Sequence, residues 1–318
     1  MNLCLPLIYI SMLTFLSQRR IVTKRVLAYM LIVIVGALIY YPALERLAAL
    51  SLNNQLYSHM PLIPIVSLYF LITERKRIFS DGATRALPAV VLAAIGLAFY
   101  GAGFMYRPGL PENDFLALCI AGLVLWLIGG FIAAFGTAAF RRGIFPLLFM
   151  AFLIPIPTFI LDPVVETLQV WSANAVEPIF KLIGLPYFRD GLVYEVPGGV
   201  AVKVAKECSG IRSTIALVIT AVVAGHMFLR SNWRRVLLVL CVFPVTVFKN
   251  ALRITSLTTL AAELDKSWLD SWLHHSGGVV YLLIAFSILG PILWLLRKTE
   301  PKKTQTTGTS FTFTDSPK

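Results

Sequence analysis

Apolar residues in this chain come in blocks close to 20 long, set apart by short charged runs. A helix needs roughly 20 such residues to cross a ~30 Å hydrocarbon core. Composition agrees: of 318 residues, 58% are hydrophobic and only 14% charged, whereas a soluble domain of this size needs a far more charged surface. The expected fold is therefore all-α, a polytopic helical membrane protein of about 8–9 transmembrane helices. Residues 1–300 are expected to form a single integral-membrane domain. Residues 301–318, rich in Thr and Ser, are expected to form a disordered cytoplasmic tail.

Strong spans are predicted near 26–44, 86–105, 115–136, 144–161, 210–229, 236–258 and 276–296, with shorter ones near 3–17 and 60–73. The first block lacks the basic start and small-residue cleavage site of a signal peptide, so it reads as a short first span. With nine spans, the connections 18–25, 74–85 and 141–143, with 230–235 and the tail after 296, carry 18 Lys and Arg against 4 acids. The rest of the chain, spans included, carries 10 against 12. The first set is predicted to be cytoplasmic, because Lys and Arg in short loops hold a segment inside. The net charge of +12 thus punctuates the apolar blocks rather than forming a patch, and nucleic acid is not an expected partner.

The same parity puts 162–209 wholly outside. Within it, 164–183 is moderately apolar but interrupted by Glu166, Trp171, Glu177 and Lys181, which fits a helix lying along the outer interface. The stretch GLVYEVPGGVAVKVAKE then alternates β-branched residues around a Pro-Gly-Gly turn at 197–199, predicting a small extracytoplasmic β-hairpin just before Cys208.

Of four cysteines, Cys4, Cys119 and Cys241 lie in apolar runs and read as inert core thiols, while Cys208 lies in the polar stretch AKECSGIRST at the head of a span. Two further segments put reactive side chains at the outer ends of spans: FKNALRIT, with Asn250 and Arg253, and WLHHSGG, with His274 and His275. Helical rise carries Arg253 about 26 Å from the inner start of its span. A thiol at the positive end of a helix near an arginine gains thiolate character and becomes a nucleophile for carbonyl carbon. A histidine moves the proton in acyl transfer, and an arginine holds a developing oxyanion.

Taken singly, each residue has a plainer reading. Cys208 alone is a structural thiol, the histidines reach to headgroups, and Arg253 anchors its span. Glu207 and Arg212 are helix-end charges, and Gly277 and Gly278 allow close packing. Joint placement at one depth favours a thiol enzyme. His226, at the cytoplasmic end of its span, is on the wrong side to take part.

The ordered motifs resemble the exosortases, membrane cysteine enzymes related to archaeosortases. The resemblance runs from about Tyr40 to Leu296: YYPALERL and LYSHMPLIPIVSLYFL, then FLIPIPTFILDP, GLP and VPGG, then ECSGIRS, NALRI and the His-containing head of the last span. It implies that Cys208 is the nucleophile and Arg253 the essential arginine, with His274 or His275 the essential histidine. A glycine four residues on, Gly278, favours His274. His59 falls where the family often has YSHG, here YSHM with Met60, and reads as a packing residue. The resemblance implies a cysteine transpeptidase, needing no cofactor or metal, in a bacterial inner membrane with its site on the periplasmic face. Its partners would be exported proteins ending in a Pro-Glu-Pro-type motif, a transmembrane helix and a basic tail. The acceptor is unnamed by the sequence, an envelope or extracellular polysaccharide component being one class. Two rival readings remain: a membrane thiol acyltransferase or lipid-handling enzyme, and a transporter, which would put its polar groups mid-span.

Overall fold

The computed structural model describes residues 23–79, 86–204, 209–263 and 278–300. The predicted span at 3–17 and the predicted tail at 301–318 lie outside these. The chain is mainly helical, and it divides into two compact units, residues 1–168 and 169–318. Six helices are long and apolar enough to cross a membrane, or up to eight spans if each of two bent helix pairs counts as one. Each of the eight predicted spans other than 3–17 overlaps one of these eight segments.

The first unit contains α1 (Thr23–Ile39), α2 (Tyr41–Asn53), α3 (Leu62–Thr73) and the short α4 (Arg75–Ile78). It continues through α5 (Ala86–Tyr106), α6 (Glu112–Phe135), α7 (Thr137–Arg142) and α8 (Ile144–Phe149). α1 and α2 meet at 77°, with Pro42 in the first turn of α2, where its missing N–H costs nothing. α5 and α6 pack through small residues. A Cβ on Gly122 would stand 2.5 Å from the Gly96 carbonyl oxygen, and one on Gly103 would stand 2.9 Å from Cys119 Sγ. Lipid offers no hydrophobic gain for helix association, so close approach and dispersion hold such a pair together. Cys119 is fully buried there, a core thiol as its sequence context predicts.

α9 (Thr158–Ile183) begins after Ile154–Pro155–Ile156–Pro157 and lies 83° from the segment Ile144–Leu153. The predicted span 144–161 therefore stops at Leu153, because two prolines in three residues break the helix. Asp114, from α6, accepts from the Thr158 backbone N–H at 2.6 Å and satisfies the start of α9.

The connections sort to opposite ends within each unit. In the first, Arg77 donates to the Arg142 carbonyl at 2.9 Å, joining the basic loops 74–79 and 141–143. At its other end Arg46 pairs with Glu112 at 3.1 Å. In the second, the Glu300 carboxylate accepts from the backbone N–H groups of Ser231 (3.1 Å) and Arg230 (2.6 Å), which hold it below the usual carboxylate range. Each of these ties joins connections that the charge pattern puts on the same side.

The second unit holds the rest of α9, a three-stranded sheet, and three long helices. The sheet is antiparallel in the order β1 (Phe188–Asp190), β2 (Val193–Val196), β3 (Val200–Lys203). The predicted hairpin is β2–β3, paired with Tyr194 opposite Val202 and turning through Gly198 and Gly199. β1 is an additional strand. Its signal was Gly191, which with Leu192 makes the two-residue turn between paired Asp190 and Val193 and sits at φ 58°, a positive value glycine takes freely. α10 (Ile211–Phe228), α11 (Asn232–Glu263) and α12 (Gly278–Lys298) pack around Leu217, Leu238, Val242 and Ala285.

Candidate active site

The site is built where α9, the sheet and the three helices of the second unit converge. α9 turns Gln169, Ser172, Ala173, Val176 and Phe180 inward, one helical face, against Tyr194, Val204, Ala251 and Ile254. Val170, Trp171 and Leu182 remain exposed on the opposite side, the apolar outer face expected of an interfacial helix. The sheet is fastened to α9 by the Tyr194 hydroxyl, which donates to the Ala173 carbonyl at 2.7 Å. Burial pushes the Tyr194 phenol up to about 12. Arg189 adds a second tie, donating to Glu177 and to Asn174 Oδ1.

Beyond β3 the chain is held on both sides of the segment that ends in Cys208. On one side Val204 donates its N–H to the Leu192 carbonyl at 2.8 Å. Its own carbonyl accepts from buried Gln169 Nε2 at 2.8 Å. On the other side Ser209 is fully buried, and Gly210 caps α10 in the left-handed conformation, φ 76°. That conformation costs a non-glycine residue roughly 1–2 kcal/mol. The Gly210 carbonyl accepts from the Thr214 N–H, Ser213 Oγ at 2.8 Å and Thr214 Oγ1 at 2.9 Å.

α11 supplies the facing wall. A Cβ built on Gly210 would lie 3.4 Å from Asn250 Oδ1 and 3.6 Å from Thr246 Cγ2, so the turn rests directly on α11. Asn250 is fully buried and donates from Nδ2 to Ser172 Oγ on α9 at 3.0 Å. Arg253, half-buried, follows one turn later. Its backbone carbonyl accepts from Ser256 Oγ at 3.1 Å, and the same hydroxyl hydrogen-bonds the Tyr281 hydroxyl near the start of α12. α11 runs to Glu263, so Arg253 stands ten residues inside the helix rather than at the predicted outer end near 258. The extra turns pack against the sheet, where Ala261 meets Val196 and Val200.

Two of the residues singled out from sequence, Asn250 and Arg253, are thus placed. Cys208, His274 and His275 lie outside the described residues, as do Glu207 and Gly277. What is placed is their chain context: Ser209 and Gly210 follow Cys208, and Gly278 and Tyr281 follow the histidines. The three motifs meet through these neighbours, by Gly210 on Asn250 and by Ser256 with Tyr281 on either side of Arg253. Sequence reasoning missed Gln169, Ser172, Ser213 and Lys249. Lys249 carried a usable signal, since it precedes Arg253 by four residues and so shares its helix face. His226 lies in the last turn of α10, at the opposite end from Gly210. His59, in the first unit, pairs locally through Nδ1 with the Leu56 carbonyl at 3.1 Å.

A polytopic helical protein with a polar junction buried among its spans and a small sheet over it belongs to the integral-membrane class that does chemistry or transport. The transmembrane exosortase family (Exosortase_EpsH) matches the chain over residues 51–290, and the protein belongs to that family. Exosortases are membrane transpeptidase-like enzymes. No curated protein and no solved structure matched the chain.

Proposed function

We propose that this exosortase is a cysteine transpeptidase that cleaves the C-terminal sorting signal of exported proteins: a Pro-Glu-Pro-type motif, a transmembrane helix and a basic tail. The observation that supports this reading is the meeting of the Ser209–Gly210 turn with Asn250 on α11, and of Ser256, one turn past Arg253's carbonyl, with Tyr281 at the head of α12. The Cys208 thiolate attacks the scissile carbonyl carbon, and Arg253 holds the tetrahedral oxyanion. As the C–N bond breaks, a histidine, His274 by its spacing to Gly278 and otherwise His275, protonates the leaving amine. The acyl group is left on sulfur as a thioester. An acceptor nucleophile, or water, then displaces the thiol. No metal or cofactor enters these steps.

The loop charges support a site on the outer face, and the family resemblance a bacterial inner membrane. Cysteine introduced at Asp190 then labels with an impermeant thiol reagent in intact cells, and cysteine at Gln305 does not. Labelling at 305 would invert the topology. The function is tested by following a tagged substrate in membranes. Cys208→Ala abolishes cleavage while protein level is unchanged, and Ala at Cys4, Cys119 or Cys241 preserves it. Cleavage by Cys208→Ala at the normal rate would rule out covalent catalysis at this residue.

A further inference from the structure

Lys249 is 2% exposed, on the same face of α11 as Arg253 and one turn before it. A buried ammonium beside another cation is unfavourable unless its hydrogen-bonding groups are used. Lys249 Nζ donates to Ser213 Oγ, in the first turn of α10, and Ser213 Oγ donates in turn to the Gly210 carbonyl at 2.8 Å. The relay thus ends two residues from Cys208, and consecutive Cα atoms are about 3.8 Å apart. Thr214 Oγ1 and the Thr214 N–H bond the same carbonyl, and Thr246 and Asn250 of α11 lie against the Gly210 backbone.

We propose that Lys249, acting through Ser213, is a positioning residue for Cys208: it fixes the Ser209–Gly210 turn and adds positive charge at the head of α10. Among the described residues no acid pairs with Lys249, which bonds a hydroxyl whose one donor is committed to the turn. Cationic surroundings favour a thiolate, so the same relay supports the sulfur as a nucleophile. The inference rests on the Cys208 reading above, and it concerns how that thiol is held rather than whether it is the catalyst.

The experiment uses the full chain with Cys4, Cys119 and Cys241 replaced by Ala, and compares Lys249→Met, Lys249→Arg and Ser213→Ala at matched levels of folded protein in detergent. Two quantities are read: kcat and KM for substrate cleavage, and the rate at which iodoacetamide alkylates Cys208. Misplacement of a reacting group costs on the order of 10²-fold in rate. Lys249→Met is expected to lower kcat by about that factor with KM unchanged, and to slow alkylation. Lys249→Arg recovers most of both. Ser213→Ala, which leaves the charge in place, shows the same direction with a smaller loss. Normal kcat and alkylation in Lys249→Met overturn the proposal. So does a loss of kcat that Lys249→Arg does not recover and alkylation does not share, which is the signature of packing alone. If Cys208→Ala still cleaves, the proposed function fails, yet the alkylation rates decide the role of Lys249 independently.

Discussion

The two units bury different things. Among the described residues, the first unit buries two polar side chains, Ser51 and Ser67. The second buries ten, including Gln169, Ser172, Ser209, Thr246, Lys249 and Asn250. The first is held by close helix approach at Gly96 and Gly122 and by aromatic edges, such as Tyr29 against Phe131 at 5.6 Å. The second sets a lysine and an arginine one turn apart within a single long helix. A charged side chain near the middle of a span costs about 2.5–3.5 kcal/mol on insertion scales. Apolar packing at the same positions would avoid that cost. One unit is built for close packing, and the other buries polar and charged groups that the proposed function puts to work.

The largest effects are expected at Arg253 and the histidine pair. If Arg253 holds an oxyanion through its planar multi-donor head, Arg253→Lys loses on the order of 10²–10³ in cleavage rate despite equal charge. An active Arg253→Lys would reduce the arginine to an anchor and weaken the contrast between the units. His274→Ala is expected to be inactive and His275→Ala only impaired, as the spacing to Gly278 implies. The reverse pattern would assign the proton to His275.

A smaller pair of effects sharpens the division itself. Gly122→Val drives side-chain atoms into the Gly96 backbone and costs about 1–3 kcal/mol of stability, read as a lower Tm in detergent. Turnover per folded molecule is unchanged. Gly210→Ala places a Cβ at φ 76°, meets no hard clash, and costs about 1–2 kcal/mol, but lowers turnover because it shifts the turn next to Cys208. Equal turnover in the two variants would mean that the units do not divide structure from chemistry.

Much of this was legible in the sequence because the membrane enforces it. Blocks of 20 apolar residues have one solution in hydrocarbon, and loop charge alternates with each crossing. The PGG turn of β2–β3 and the Asn250–Arg253 spacing were equally plain. Three things were harder to read. The 83° break before α9 needed Pro155 and Pro157 to be weighed against an otherwise continuous apolar run. The strand β1 is three residues long, too short for alternation to show. The roles of Ser172, Ser213 and Lys249 depend on contacts between helices far apart in sequence, and no single helix records what its neighbour presents.

The central claim, that the polar junction of the second unit serves a covalent cysteine mechanism, meets its most direct test in trapping the intermediate. Membranes carrying the protein are given a tagged substrate, quenched in acid and analysed by mass spectrometry. The account predicts the tagged N-terminal fragment joined to Cys208 as a hydroxylamine-labile thioester, absent from Cys208→Ala and accumulating when the acceptor is withheld. Cleaved substrate with no adduct on Cys208 under those conditions, or an adduct on another residue, would contradict it.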